Sequence, residues 1–225
     1  MGVGTLGVVP LSVHTVASQF LSIAFMVAFG IGVSLSVRLG HVLPQNVRRA
    51  KYLVWGTTIV STLVFVLVSA ALYKFQTSVF HIFTNDPVVM AGCEVIWSKV
   101  CWYFFLVSWF ALNTGIANGL GMQWMLGKVT VLFLWFLGVP ALWYYGLHVY
   151  ESLNAVWAWI TPPYILINLS LLVAFGTADW DGISVDIRKR GGPLEKTATE
   201  VDRNVTYGIA YGSVEEAEKL HFVAK

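Results

Sequence analysis

Ser108, Asn113, Thr114 and Asn118 interrupt a stretch that is otherwise apolar and aromatic, and they are the residues in this chain best placed to do chemistry. Amides and hydroxyls of this kind bind by hydrogen bonding. They do not act as nucleophiles or acids unless a base or a carboxylate stands beside them. The amide of Asn113 is costly in hydrocarbon unless it is partnered, so it must face other helices or a wet cavity. Helix-to-helix hydrogen bonding and cavity lining both satisfy that demand. Trp102, Tyr103, Phe104 and Trp109 lie on the same stretch and could wall an apolar pocket, or could equally be aromatic packing.

The other reactive residue types form no constellation. His14, His41, His81, His148 and His221 are scattered, and none pairs at i, i+4 with a partner. Cys93 and Cys101 lack metal-ligand spacing and read as core residues. There is no glycine-rich phosphate loop and no Ser–His–acid set, so enzyme, metal and cofactor readings have nothing to rest on. Helix breakers are the remaining signal. Pro140 follows Gly138-Val139, and Pro162-Pro163 follows Thr161; each removes a backbone donor and predicts a kink.

The elements that carry these residues are set by hydropathy. Hydrophobic residues make up 57% of the 225 and charged residues 12%, with a mean hydropathy of +0.70. A soluble domain this small could not hide so much apolar surface. Five apolar runs reach membrane-spanning length, at about 8–37, 52–73, 100–120, 129–147 and 153–177. They do not alternate, so they are helices rather than barrel strands. The expectation is an all-α integral membrane protein, with residues 1–178 as the transmembrane region. Residues 179–225 are expected to form a polar, largely disordered cytoplasmic tail. Met1-Gly2 is no myristoylation signal, because Leu6 stands where a hydroxyl is wanted, and the N-terminus is no cleavable leader.

Charge sets orientation. Ahead of residue 179 the charged residues are Arg38, Arg48, Arg49, Lys51, Lys74, Asp86, Glu94, Lys99, Lys128 and Glu151; the rest fall between Asp179 and Lys225. Basic residues follow the first, third and fifth runs, which predicts an external N-terminus and a cytoplasmic C-terminus. No basic cluster interleaved with aromatics suggests nucleic acid. In the tail, Gly191-Gly192-Pro193 breaks any helix, Ser213 to Glu216 could cap a short one up to Leu220, and Asn204-Val205-Thr206 is an acceptor sequon on the cytoplasmic side. Tyr211 to Val214 has the shape of a tyrosine sorting signal.

Taken together, several segments resemble the MATE (multidrug and toxic compound extrusion) family of transporters. Gly32 to Gly40 is similar to the family's A-x-S-x-R-V-G-N stretch, and Arg48 to Lys51 to its Ala-Lys/Arg segment. Ile82 to Pro87 resembles its I-F-T-x-D turn, and Gly115 to Gln123 its G-x-x-R-G-x-G-x-Q motif. Gly138-Val139-Pro140, Asn154 to Trp157 and Asp179-Trp180-Asp181 resemble its G-x-P, G-x-W and D-W-[DE]. Their order over residues 6–190 fits the second lobe of the family. Val107 stands where many members carry an acid, Asn118 replaces a usual Arg, His41 a usual Asn and Pro44 a usual Gly.

The resemblance implies two six-helix lobes and secondary antiport, exporting organic cations, xenobiotics or metabolites with H+ (or Na+) as coupling ion. It places the protein in the plasma membrane or a vacuolar or organelle membrane. Substrate-binding candidates are Asn113, Ser108, Trp109, Tyr103 and Thr114. The partners expected are the lipid bilayer, a small organic substrate, and the missing lobe or a second chain. The family needs roughly twice this length, so the chain reads as a partial transporter. The alternative is a non-transporting subunit or truncated product that pairs with a full-length relative.

Overall fold

The computed structural model describes residues 2–189. After a short 3-10 turn, Gly2–Leu6, the described chain is helical: α1 (Val8–Val42), α2 (Val47–Lys74), α3 (Gln76–Phe83), α4 (Pro87–Gly119), α5 (Gln123–Val149) and α6 (Leu153–Thr177). Five of these, all but α3, are long and apolar enough to cross a membrane. The chain divides into two compact units, residues 1–179 and 180–225.

Four spans are longer than the hydropathy reading. Helix α4 starts at Pro87, not near 100, because Asp86 caps it: its carboxylate accepts from Val88 N–H at 2.9 Å, and Pro87 occupies the first turn. Glu94 and Lys99 break the apolar run but not the helix. Glu94 points outward, and Lys99 Nζ donates to Asn154 Oδ1 at 2.6 Å. Helix α2 starts at Val47 rather than Tyr52, where Asn46 accepts from Arg49 N–H at 3.0 Å. Helix α5 starts at Gln123 rather than Val129, with exposed Lys128 lying 5.5 Å from the Trp124 ring. Helix α1 also runs on past Val37 to Val42, carrying Arg38 outward while Leu39 and Leu43 stay buried.

Helix α4 is the hub of the first unit, and α1 is its main partner. Glycines let them approach at backbone distance. A methyl group on Gly32 would lie 2.5 Å from the Ala111 carbonyl oxygen, and one on Gly115 would overlap the Gly32 carbonyl. Gly92 fits against Val13 and Gly119 against Leu39. The order of these pairs shows that α1 and α4 run parallel. Such small-residue seams replace the hydrophobic drive that lipid does not supply.

Around one end of this seam, Val13, Ala17, Ile96, Trp97, Val100 and Phe104 form the core. The short α3 plugs it with Phe80, whose ring meets Trp97 edge-on at 4.8 Å. Trp97 Nε1 donates to the Leu72 carbonyl at 3.1 Å.

The proline helices are irregular. Helix α5 has π-helical turns at Val131–Gly138 and Leu142–Val149, on either side of Val139–Ala141. Pro140 has no N–H to give, and the wider turns re-pair the neighbouring carbonyls. Helix α6 is two pieces, Leu153–Trp159 and Thr161–Thr177, meeting at Ile160. Pro162 and Pro163 sit in the first turn of the second piece, where a missing donor costs nothing. Gly138 receives Pro163: a methyl there would be 2.8 Å from its Cγ. The glycine two residues before Pro140 is therefore a seat for the other helix's proline.

In the second unit, residues 180–189 are helical rather than disordered. Trp180, Ile183 and Ile187 recur at helical spacing there, an amphipathic pattern the composition of the whole tail conceals. The readings made for Gly191 onward, including the capping box, the sequon and the tyrosine signal, lie outside the described residues.

Replacing Gly115 with alanine is expected to destabilise the bundle by about 1–3 kcal/mol through overpacking against the α1 backbone. Gly40→Ala, which meets open space, serves as the control. Thermal unfolding in detergent should show a lowered Tm for the first and none for the second; equal shifts would contradict a backbone-distance seam.

Candidate functional site

Asn113 is buried at 1% exposure in the C-terminal third of α4. Its Nδ2 donates to Asn168 Oδ1 on α6 at 2.8 Å. Asn168 is buried too, and its Nδ2 donates to the Leu106 carbonyl at 3.0 Å and the Tyr164 carbonyl at 2.9 Å. One amide thus bonds across to a side chain, and the other bonds across to the α4 backbone. This ties α4 to α6 at two points about two turns apart on α4.

Aromatic rings close this seam. Tyr103 meets Tyr164 edge-on at 5.2 Å and Trp157 at 5.6 Å. Phe110 meets Tyr164 at 5.6 Å. Helical spacing puts Val107 one turn from both Tyr103 and Phe110, on the same stripe. Beside Phe110 and Thr114 a cavity of about 350 Å³ opens, lined also by Phe25, Phe29 and Gln123. Its walls are almost wholly apolar, so it would hold a flat or bulky hydrophobic body. The polar side chains on its wall, Thr114, Gln123 and Thr130, offer hydrogen bonds without charge. Among the described residues no group of three His, Cys, Asp or Glu side chains could hold a metal.

The five candidates do not converge. Asn113 and Tyr103 face α6 through Asn168 and Tyr164. Trp109 faces α2, where its Nε1 donates to Thr62 Oγ1 at 2.7 Å. Ser108 falls on the stripe of Ala111 and Gly115 that meets α1, is fully buried, and its Oγ has no hydrogen-bond partner among the described residues. Thr114 returns its hydroxyl to the Phe110 carbonyl of its own helix at 2.8 Å while also lining the cavity. Trp102 lines a separate groove between α2 and α4 with Ser69 and Phe105. Five residues within twelve positions of one helix necessarily point in several directions.

Sequence reasoning missed Asn168, Tyr164 and Trp157. Asn168 carried the same signal as Asn113, a lone amide inside a spanning run, and the rule applied to one should have been applied to both.

The comparisons with known proteins agree with this architecture. The family model described as MatE matches residues 1–143. Protein DETOXIFICATION 38 of Arabidopsis thaliana is 24% identical over 177 residues, which is 78% of this chain and 35% of that protein. The probable multidrug resistance protein NorM of Haemophilus ducreyi is 28% identical over 128 residues, 56% of this chain and 28% of its own length. Multidrug and toxin extrusion protein 1 of Oryctolagus cuniculus is 26% identical over 138 residues, 61% and 24% respectively. The crystal structure of the eukaryotic MATE transporter AtDTX14 superposes with a TM-score of 0.75 at 17% identity, covering 80% of this chain and 40% of that one. The chain therefore spans about a third of the length of the curated relatives it matches. The five apolar helices together with these matches describe an integral, multi-pass membrane protein with the fold of part of a MATE transporter.

Asn168→Leu leaves the Asn113 amide buried without its partner and should cost about 1–3 kcal/mol. The double replacement Asn113→Leu with Asn168→Leu should cost less than the sum of the singles, as a double-mutant cycle on Tm would show. Ser108→Ala, which removes an unpartnered hydroxyl, should leave Tm unchanged or raised. Additive losses at the two asparagines would mean that their bond is not a coupling.

Proposed function

Because this chain belongs to the MatE family, we propose that it forms part of one lobe of a secondary antiporter that exports organic cations, xenobiotics or metabolites. The observation that carries this reading is the buried Asn113–Asn168 amide pair, which joins α4 to the broken α6 inside the bundle, while an apolar cavity opens between α1, α4 and α5. Buried amides tie membrane helices together, and discontinuous helices around such a polar point suit a transport site. Phe25, Phe29 and Phe110 would hold the substrate's hydrophobic body, with cation–π attraction available to a charged one. Thr114, Gln123 and Thr130 would supply its polar contacts.

The coupling ion in this reading is H+ (or Na+). Val107 occupies the stripe between Tyr103 and Phe110 and cannot bind either, so the ion's carboxylate comes from elsewhere in the assembled transporter. A single lobe needs another to rock against, supplied by further sequence or by a second chain. In this reading the C-terminus lies in the cytoplasm, which the basic loops favour, and the membrane is the plasma membrane or that of a vacuole or other organelle.

The test is dye and toxic-cation accumulation in an efflux-deficient host, comparing the protein with empty vector and with variants normalised to membrane content. Asn113→Ala is expected to lower export several-fold beyond any loss of folded protein. Val107→Glu should make export newly dependent on external pH, since it adds the missing acid on the stripe of Tyr103 and Phe110. Export equal to vector for the parent chain, joined with its other half where that exists, would end the transport reading. Export tracking only the amount of folded protein in Asn113→Ala would reduce the amide pair to a structural tie.

A further inference from the structure

At the end of the first unit where the chain starts, two cavities lie side by side, away from the Asn113–Asn168 seam. The inner one, about 440 Å³, is walled by Leu11, Leu142, Leu147, Val156 and Ile160, with His14 as its polar group. The outer one, about 670 Å³, is lined by Thr5, Trp143, Leu147, His148 and Glu151. Leu147 is common to both, so the two adjoin at that residue, the first lined mainly by apolar groups and the second carrying more polar ones.

The polar groups of these cavities have a consistent chemistry. His14 Nε2 lies 3.4 Å from Ser18 Oγ, and His14 Nδ1 is buried with no hydrogen-bond partner among the described residues. In the tautomer whose Nε2–H donates to Ser18, Nδ1 keeps a free lone pair and accepts. Glu151 brings a carboxylate to the outer one. No lysine or arginine lines either chamber. Trp143 stands beside His148, ring centroids 4.3 Å apart, and its exposed face is open to a cation. Glu151 is also the one non-glycine residue in the described chain held at positive φ, 41°, in the short turn between α5 and α6. The turn holds the carboxylate there at some conformational cost.

We infer that these adjoining cavities form a second binding site, for an amphiphilic amine whose protonated nitrogen sits at Glu151 and Trp143 and whose apolar body fills the inner chamber. A secondary or primary ammonium that reached inward could donate to His14 Nδ1. The site does not depend on the transport reading, because it is complete within α1, α5, α6 and the turn before α1. It differs from the Asn113–Asn168 seam in carrying a formal negative charge.

The experiment measures binding of a dansylated long-chain tertiary amine, and of the matching uncharged alcohol, to the purified chain in nanodiscs of phosphatidylglycerol and phosphatidylcholine. Wild type should bind the amine more tightly than the alcohol. Glu151→Gln, at an exposed position, should weaken amine binding about five-fold and leave the alcohol unchanged. Leu142→Trp, which fills the inner chamber, should weaken both probes. Asn113→Ala should move neither, which separates this site from the transport site even if the transport reading fails. Equal affinities of wild type and Glu151→Gln for the amine, with both proteins monodisperse, would overturn the proposal. Displacement of the probe by added phosphatidylethanolamine would overturn the free-amine assignment in favour of a lipid headgroup.

Discussion

The near-contact of two backbones at Gly32 and Gly115 is the constraint on which the rest of the bundle depends. In lipid no hydrophobic force pulls apolar helices together, so association rests on how closely their atoms can approach. Without side chains at these two positions, α1 and α4 meet along most of their length. Gly92 and Gly119 extend the seam towards both ends. Helix α4, held at the centre, then has its other faces free for α2 and α6. Trp109 and Ser69 fasten α2 by hydrogen bonds to Thr62 and to the Cys101 carbonyl. The asparagine pair fastens α6. Each bond is made in a medium with no competing water, where a lost partner is costly.

Hydropathy made the number of spans legible, because nothing but apolar helices of this length can satisfy their backbones in a bilayer. It made their ends much less so. The apolar runs stop short of Lys99 and Lys128, yet both of these residues, like Glu94, sit on a helix. Glu94 and Lys128 face outward, and Lys99 reaches Asn154. The true boundary of α4 was written in Asp86-Pro87, a cap and a first-turn proline, four residues past the end of α3. Capping residues mark where a helix starts, whereas hydropathy marks only where it would be at home in lipid.

The candidate site was half legible for a similar reason. Asn113 was visible as an amide in hydrocarbon, but its partner is 55 residues away and no local pattern pairs them. Residue type nominated Ser108 and Trp109 together with Asn113, while the helical angle sends the three towards α1, α2 and α6. Periodicity within α4 could have separated them. The even spread of aromatic and apolar residues around this helix left no polar face to give the angle away, since its exposed stripe of Val88, Val95 and Trp102 is apolar too.

The prolines show how packing and irregularity are linked. Taken alone, Pro140 would kink α5 and Pro163 would start a helix. In the bundle they answer one another through Gly138, which has no side chain where Pro163 arrives. The π-helical turns on both sides of Pro140 absorb the lost donor, so α5 stays continuous while α6 is cut at Ile160. The break in α6 lies one turn before Tyr164 and two before Asn168. The residues that close the amide seam are therefore carried by the second piece of α6, and Trp157, which meets Tyr103, by the first. Any change in the angle at Ile160 must pull Trp157 and Tyr164 apart across Tyr103, a ring that touches both. Tyr103 thus links both halves of the broken helix to α4, as Gly138 and Gly146 seat both halves on α5.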